Sequence, residues 1–207
     1  MLEPLQRRVA ARALGLPAAG RMALAGGAAM LAHGLVTRPT ADVDLFSPDE
    51  ADVQLLRRDL VAALLADGLT VHVDLESDSF VRLGVEDTDG HRLEVELAWD
   101  ARLYPPVRMQ LGPVLSEAEL AADKSLALFG RAYARDLVDV AALVSRLGAA
   151  RVIELASAKD DGFSTAVFAR ALEVAADRPD AEFHRLGLDE AALAELRGWA
   201  RAWADGI

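Results

Sequence analysis

The stretch Arg38-Pro39-Thr40-Ala41-Asp42-Val43-Asp44-Leu45-Phe46 decides how this chain is read. In a strand, successive side chains point to opposite faces, so Asp42 and Asp44 share one face while Val43 and Leu45 turn into the core. Two adjacent carboxylates suit Mg²⁺, a hard cation that is usually held by one or two carboxylates plus the phosphates of a substrate, with Mn²⁺ as an alternative ion. Asp-x-Asp alone equally describes a solvated strand edge. What gives the pair weight is Gly26-Gly27, which follows the apolar run Met22-Ala23-Leu24-Ala25. Backbone N–H groups at such a junction, close to the start of a helix, favour anions and can cradle phosphates that a metal neutralises.

A second acidic strand lies downstream. In Leu93-Glu94-Val95-Glu96-Leu97 the leucines and the valine share one face, which leaves Glu94 and Glu96 on the other. Either glutamate can complete a three-carboxylate site in which one group also accepts the proton of an attacking hydroxyl. Glu96 is the stronger candidate, because the following Leu97-Ala98-Trp99 is expected to keep it deeper in the sheet, and a solvated outer face is the competing reading. Lys124 falls mid-helix, followed by Arg131, Arg135, Asp136 and Asp139. A lysine at the head of a cleft meets triphosphate oxygens, and a nearby aspartate can orient it. Equally, Lys124 can be ordinary surface, and Arg135 with Asp139 an i,i+4 pair worth a few tenths of a kcal/mol.

Composition sets the bounds. A chain of 207 residues fits one or two domains. It has no cysteine, which excludes disulfides and thiolate zinc sites and fits a cytoplasmic protein. The longest apolar stretch, Met22 to Val36, is too short and too interrupted to span a membrane. Arg7-Arg8 ahead of an Ala-rich stretch resembles a twin-arginine export signal, but Arg12 and Arg21 intervene and the stretch runs straight into the Asp42 strand. The net charge of −11 argues against a general nucleic-acid coat. Its distribution is uneven: residues 1–40 carry +4, 41–100 carry −12, 101–151 carry +2 and 152–207 carry −5. The two basic stretches can receive a polyanion if they converge on the carboxylate strand; a chance fluctuation is the alternative.

Periodicity predicts an amphipathic first helix through Leu5, Val9 and Ala13, a strand over 22–25, a short helix from Ala28 and the strand over 42–46. Ser47-Pro48-Asp49 opens a helix to about Asp67, with Gly68 as its stop. Strands over 70–75 and 80–85 precede the Asp89-Gly90 turn and the strand around 93–97. Tyr104-Pro105-Pro106 marks the expected exit from the sheet, and Ser116-x-x-Glu119 opens a helix that Gly130 ends. Helices are then expected over 133–147, 150–158, 163–177 and 189–204. The fold class is therefore α+β, a mixed α/β core sheet over 1–105 followed by an α-helical domain over 106–207.

In order along the chain, Gly26-Gly27, Arg38-x-Thr40-x-Asp42-x-Asp44, Lys124-x-x-x-Leu128-x-x-Arg131 and Arg135-Asp136-x-x-Asp139 resemble the successive motifs of the AbiEii/AbiGii-type nucleotidyltransferase toxins. These belong to the DNA polymerase β-like nucleotidyltransferase superfamily. The resemblance spans about residues 20–145 and implies a nucleotidyltransferase core with a helical C-terminal region. It also implies a bacterial toxin with a cognate antitoxin, a Mg²⁺-dependent use of NTP, and tRNA 3′ ends as acceptor. On it, Asp42, Asp44, Lys124 and Asp139 are the catalytic set and Asp42 and Asp44 the metal ligands, to which the strand parity adds Glu96, with Glu94 competing for that role. Gly26, Gly27, Arg38 and Lys124 are the nucleotide-binding residues. The chain differs from relatives in two places: the third carboxylate is a glutamate where relatives often have aspartate, and Gly26-Gly27-Ala28 stands where many have Gly-Ser.

Other features are less specific. Thr40, on the strand parity of Asp42, is a candidate for inactivation by phosphorylation, since a phosphate there would compete for the metal. His33, His72, His91 and His184 show no metal-ligand spacing, and Trp199 with Trp203 reads as a packing stripe on the last helix. Two rival functions stay open: a nucleotide-binding partner protein without turnover, and a transferase acting on a protein or small-molecule hydroxyl.

Overall fold

The computed structural model describes residues 2–207. The chain divides into two compact units. One runs up to His33 and resumes over Pro39–Ser116; the other combines Gly34–Arg38 with Glu117–Ile207. The boundary therefore falls at 116/117 rather than at 105/106, and the short segment containing Arg38 belongs to the helical unit.

The first unit holds strands β1 (Ala23–Ala25), β2 (Asp42–Ser47), β3 (Thr70–Glu76), β4 (Phe80–Glu86), β5 (Arg92–Trp99), β6 (Val107–Met109) and β7 (Gly112–Val114). Its helices are α1 (Pro4–Leu14), α2 (Gly26–Ala32) and α3 (Glu50–Ala66). The strands form one mixed sheet in the order β3-β4-β5-β2-β1-β7-β6. β2 runs parallel to β5 and antiparallel to β1. Val43 and Leu45 of β2, Val81, Leu83 and Val85 of β4, and Leu93, Val95 and Leu97 of β5 are all buried. α3 packs against β2 to β5 and contributes Val53, Leu56, Leu60 and Leu64 to the core. Each such aliphatic side chain stabilises the layer by roughly 1.5–3 kcal/mol. Covering that face leaves the opposite parity, with Asp42, Asp44, Arg82, Glu94 and Glu96, as the polar face of the sheet.

Several expected boundaries shift for physical reasons. Pro105-Pro106 interrupts the chain but does not end the sheet, because the β6–β7 hairpin follows and β7 pairs parallel with β1 at Leu24 and Val114. α2 starts at Gly26, two residues earlier than Ala28. The buried face of α1 is Gln6, Val9, Ala10 and Ala13, so the polar Gln6 occupies a position that Leu5 was expected to hold. α3 begins as expected, with the Asp49 carboxylate accepting from Ala51 N–H at 3.1 Å.

The second unit is helical: α4 (Glu117–Arg131), α5 (Ala134–Leu147), α6 (Ala149–Lys159), α7 (Thr165–Ala176), α8 (Asp180–Arg185) and α9 (Glu190–Asp205). α4 runs through Gly130 and stops at Ala132, which takes the left-handed φ of 50°. α8, six residues behind Pro179, is too short to leave a helical period in the sequence. The core centres on Leu137, Val140, Phe168, Leu172 and Phe183. Phe129, Phe163, Phe168, Trp203 and Trp199 form a continuous aromatic row with 5.3 Å between successive ring centroids. The two tryptophans therefore pack, as their spacing predicts.

Candidate active site

The parallel register of β2 and β5 sets Asp42 opposite Glu94 and Asp44 opposite Glu96, so four carboxylates share the polar face of the first unit. Asp44 is the most enclosed of β2's pair, at 9% exposure. Its carboxylate is pressed against the backbone where β1 turns into α2. Gly26 has a left-handed φ of 56°, and a Cβ added there would fall 1.6 Å from Asp44 Oδ2. Only glycine satisfies both the dihedral and the approach. The oxygen-only donor set of Asp42 and Asp44 fits a hard divalent cation.

Glu96 is engaged. Arg82 lies opposite it on β4 and donates from Nε at 3.0 Å and Nη2 at 2.6 Å, both to Oε1. Glu94 faces Gly84, which offers no side chain to cover it. That explains why the Glu94 side chain is 46% exposed against 21% for Glu96. Trp99, expected to shelter Glu96, is itself exposed, so the shelter comes from Arg82. Thr40 precedes β2 rather than continuing it, and its hydroxyl donates to the Asp42 carboxylate.

In the second unit, Asp139 of α5 is completely buried and receives two cations. Arg38 Nε donates to Oδ1 and Nη2 to Oδ2, each at 2.7 Å, in a bidentate fork. Lys124 Nζ of α4 lies 3.0 Å from Oδ2. Burial alone would raise the Asp139 carboxyl, but the Lys124 charge and the Arg38 bonds outweigh it and hold it below the ordinary carboxylate range. Lys124 is 8% exposed and is not the surface lysine that its position would ordinarily make it. The neighbouring Asp136 takes its own fork from Arg131, at 2.8 Å to each oxygen.

Residues 11–205 match the family described as nucleotidyl transferase AbiEii toxin, type IV TA system. The chain belongs to the AbiEii nucleotidyltransferase toxin family. Its structure is similar to that of MenT4, the nucleotidyltransferase toxin Rv2826c from Mycobacterium tuberculosis H37Rv, with a TM-score of 0.60 and 18% identity over 100% of this chain and 91% of that one. It is also similar to a putative nucleotidyltransferase from Helicobacter pylori, with a TM-score of 0.57 and 18% identity over 98% and 94% of the two chains. JHP933 from Helicobacter pylori gives 0.56 and 19% over 98% and 91%. At these identities the likeness is one of fold. No curated protein sequence matches the chain. Membership of the AbiEii family makes the protein a nucleotidyltransferase and implies an antitoxin partner and a nucleotide substrate. No helix among the described residues is long and apolar enough to cross a membrane.

Two further residues, Arg82 and Gln6, belong to the polar network around Asp42 and Glu96. Arg82 could have been found from parity, since it alternates with Val81, Leu83 and Val85 as Glu96 does with Val95 and Leu97. Gln6 gave no signal beyond its place in an apolar period. His91 also differs from expectation, because it lies with Asp87 and Asp89 so that one ligand atom from each falls within 4.8 Å of the others. The Asp87 carboxylate there accepts from the Asp89 and His91 N–H groups and sits 2.9 Å from His91 Nδ1, which accounts for the cluster as closure of the β4–β5 turn.

Proposed function

We propose that this AbiEii-family enzyme transfers a nucleotide from an NTP to the 3′ end of an RNA, tRNA above all, in a Mg²⁺-dependent reaction that releases pyrophosphate. The observation that carries this reading is the pair Asp42 and Asp44 on one face of β2, with Asp44 enclosed by the Gly26 backbone. Mg²⁺, or Mn²⁺ in its place, supplies Lewis-acid polarisation of the phosphoryl oxygens when bound. Asp42 and Asp44 would hold it, with Glu96, whose Oε1 takes both Arg82 bonds, as the third carboxylate. The acceptor oxygen bonds to the α-phosphorus, the bond to the β-phosphate oxygen breaks, and a carboxylate of this set receives the hydroxyl proton. The Gly26 and Gly27 amides serve the phosphates directly, because a seven-residue α2 adds little dipole. Lys124 meets the triphosphate as an ammonium aimed by Asp139, and Arg38 supports it through the same carboxylate.

The assay is direct. The protein is incubated with each labelled NTP, Mg²⁺ and total bacterial RNA, and products are resolved by size. Label on tRNA-sized RNA is the expected result; label on protein or a small molecule, or nucleotide binding without transfer, would replace it with one of the rival functions. An acidic enzyme holds RNA only through local cations, for which Arg7, Arg8, Arg12, Arg131 and Arg135 are the candidates. Arg8 and Arg12 also clasp Asp67 at the end of α3. Five phosphate contacts predict that RNA affinity falls about 100-fold between about 50 and 200 mM salt. Labelling that ignores salt at subsaturating RNA would remove these arginines from the RNA-binding account.

Thr40 is proposed as the point of regulation. Phosphorylation would replace a donor to Asp42 with roughly −1.5 to −2 of charge beside the carboxylates. Thr40→Glu is expected to cut NTP incorporation at least about tenfold, by roughly 1.4 kcal/mol of lost transition-state stabilisation. Full activity in that variant argues against the switch.

A further inference from the structure

We propose that Gln6 is a positioning residue for Asp42, acting through Thr40; this rests on the reading of Asp42 as a metal ligand. Gln6 is 5% exposed and shares the buried face of α1 with Val9, Ala10 and Ala13. A primary amide at such a place costs stability unless its bonds are made. Its two ends make different bonds. Oε1 accepts from the Glu3 N–H at 2.9 Å and closes the capping box of α1. Nε2 donates to the Thr40 carbonyl at 2.7 Å, 34 residues away in sequence. Thr40 in turn donates its hydroxyl to Asp42.

The second bond matters because Thr40 has no ladder to hold it. It lies outside β2, and Thr40 and Ala41 border a cavity of about 620 Å³ whose wall also includes Leu5, Gln6 and Leu93. A peptide beside open volume can tilt. The Gln6 amide fixes its carbonyl, and with it the direction in which the Thr40 hydroxyl meets Asp42. Bonds of this outer kind orient metal-binding carboxylates.

A capping box works with either glutamate or glutamine at this position, so Gln6→Glu keeps the size and the cap but replaces the Nε2 donor with a carboxylate oxygen facing the Thr40 carbonyl. The variant is expected to melt below wild type but remain folded, to need about tenfold more Mg²⁺ for half-maximal NTP incorporation, and to approach wild-type rate at saturating metal. Mn²⁺ binding followed by calorimetry without NTP should weaken by the same factor. Thr40→Val should reproduce the shift, and the double variant should be no worse than either single one. Glu3→Ala, which damages the cap but leaves Nε2 in place, should lower the melting temperature without moving the metal dependence. An unchanged metal requirement in Gln6→Glu or, should that variant not fold, in Thr40→Val overturns the proposal. So do effects that multiply in the double variant, or a metal shift in Glu3→Ala. Equal Mn²⁺ binding by wild type and Asp42→Asn would instead overturn the metal reading beneath it.

Discussion

Asp42→Asn and Asp44→Asn are each expected to lower nucleotide incorporation by about two to three orders of magnitude while leaving the fold standing. Metal stabilisation of a phosphoryl transition state is worth several kcal/mol, and each 1.36 kcal/mol is tenfold in rate. Asparagine keeps the shape of aspartate, removes the charge and exchanges one acceptor oxygen for an amide donor. Val43 and Leu45, fully buried on the other parity, continue to hold β2 in the core. The polar face gathers Asp42, Asp44, Glu94 and Glu96 on two adjacent parallel strands, so losing one negative charge relieves repulsion there. The melting temperature in metal-free buffer should therefore stay the same or rise. A second readout follows from mass action: bound Mg²⁺ should raise the wild-type melting temperature, and each variant should lose that response. Near-wild-type turnover in either folded variant would sink the assignment of Asp42 and Asp44 as metal ligands.

The strand logic behind that expectation was readable because its period is two. Asp42 and Asp44 could be placed on one face from spacing alone, and the same rule paired Glu94 with Glu96. What spacing could not supply was register. Nothing in the sequence says that Asp44 stands opposite Glu96 or that Arg82 covers it, because strand pairing is fixed by contacts distant in sequence. Pro105-Pro106 misled for a related reason. Proline ends a local element reliably, but whether the chain afterwards returns to the sheet depends on a pairing partner 90 residues away, Leu24 with Val114. In the helical unit the burial of Lys124 was legible in principle. Leu120 and Leu128 lie four residues to either side and are fully buried, so the lysine sits on the apolar stripe. The second cation on Asp139, Arg38, was not legible as such, since a five-residue segment of the N-terminal half joins the helical unit and splits a contiguous motif between the two units.

That arrangement makes Asp139→Asn the largest expected loss of stability. The substitution removes the carboxylate shared by a guanidinium at 6% exposure and an ammonium at 8%. Removing one member of a buried ion pair costs about 3–5 kcal/mol, because the remaining charge is left in a poor solvent. Lys124→Met separates this structural cost from chemistry. Methionine replaces the lysine stem between Leu120 and Leu128 and leaves the Arg38 fork on Asp139 intact, so its cost should stay below about 1.5 kcal/mol while NTP use falls sharply. The pH dependence carries a sign. The Asp139 carboxyl is held below its ordinary value, so the unfolded chain takes up its proton first as pH falls, and the native state loses that contribution. The stabilisation is complete above the unfolded value of about 3.9 and is lost as pH drops below it towards the lower folded value. Urea melts of wild type and Asp139→Asn across this range should show a wide gap near neutrality that narrows once the pH passes below about 4. A gap that stays constant from about pH 6 to about pH 3 would remove the charge on Asp139 from the account and leave only its shape.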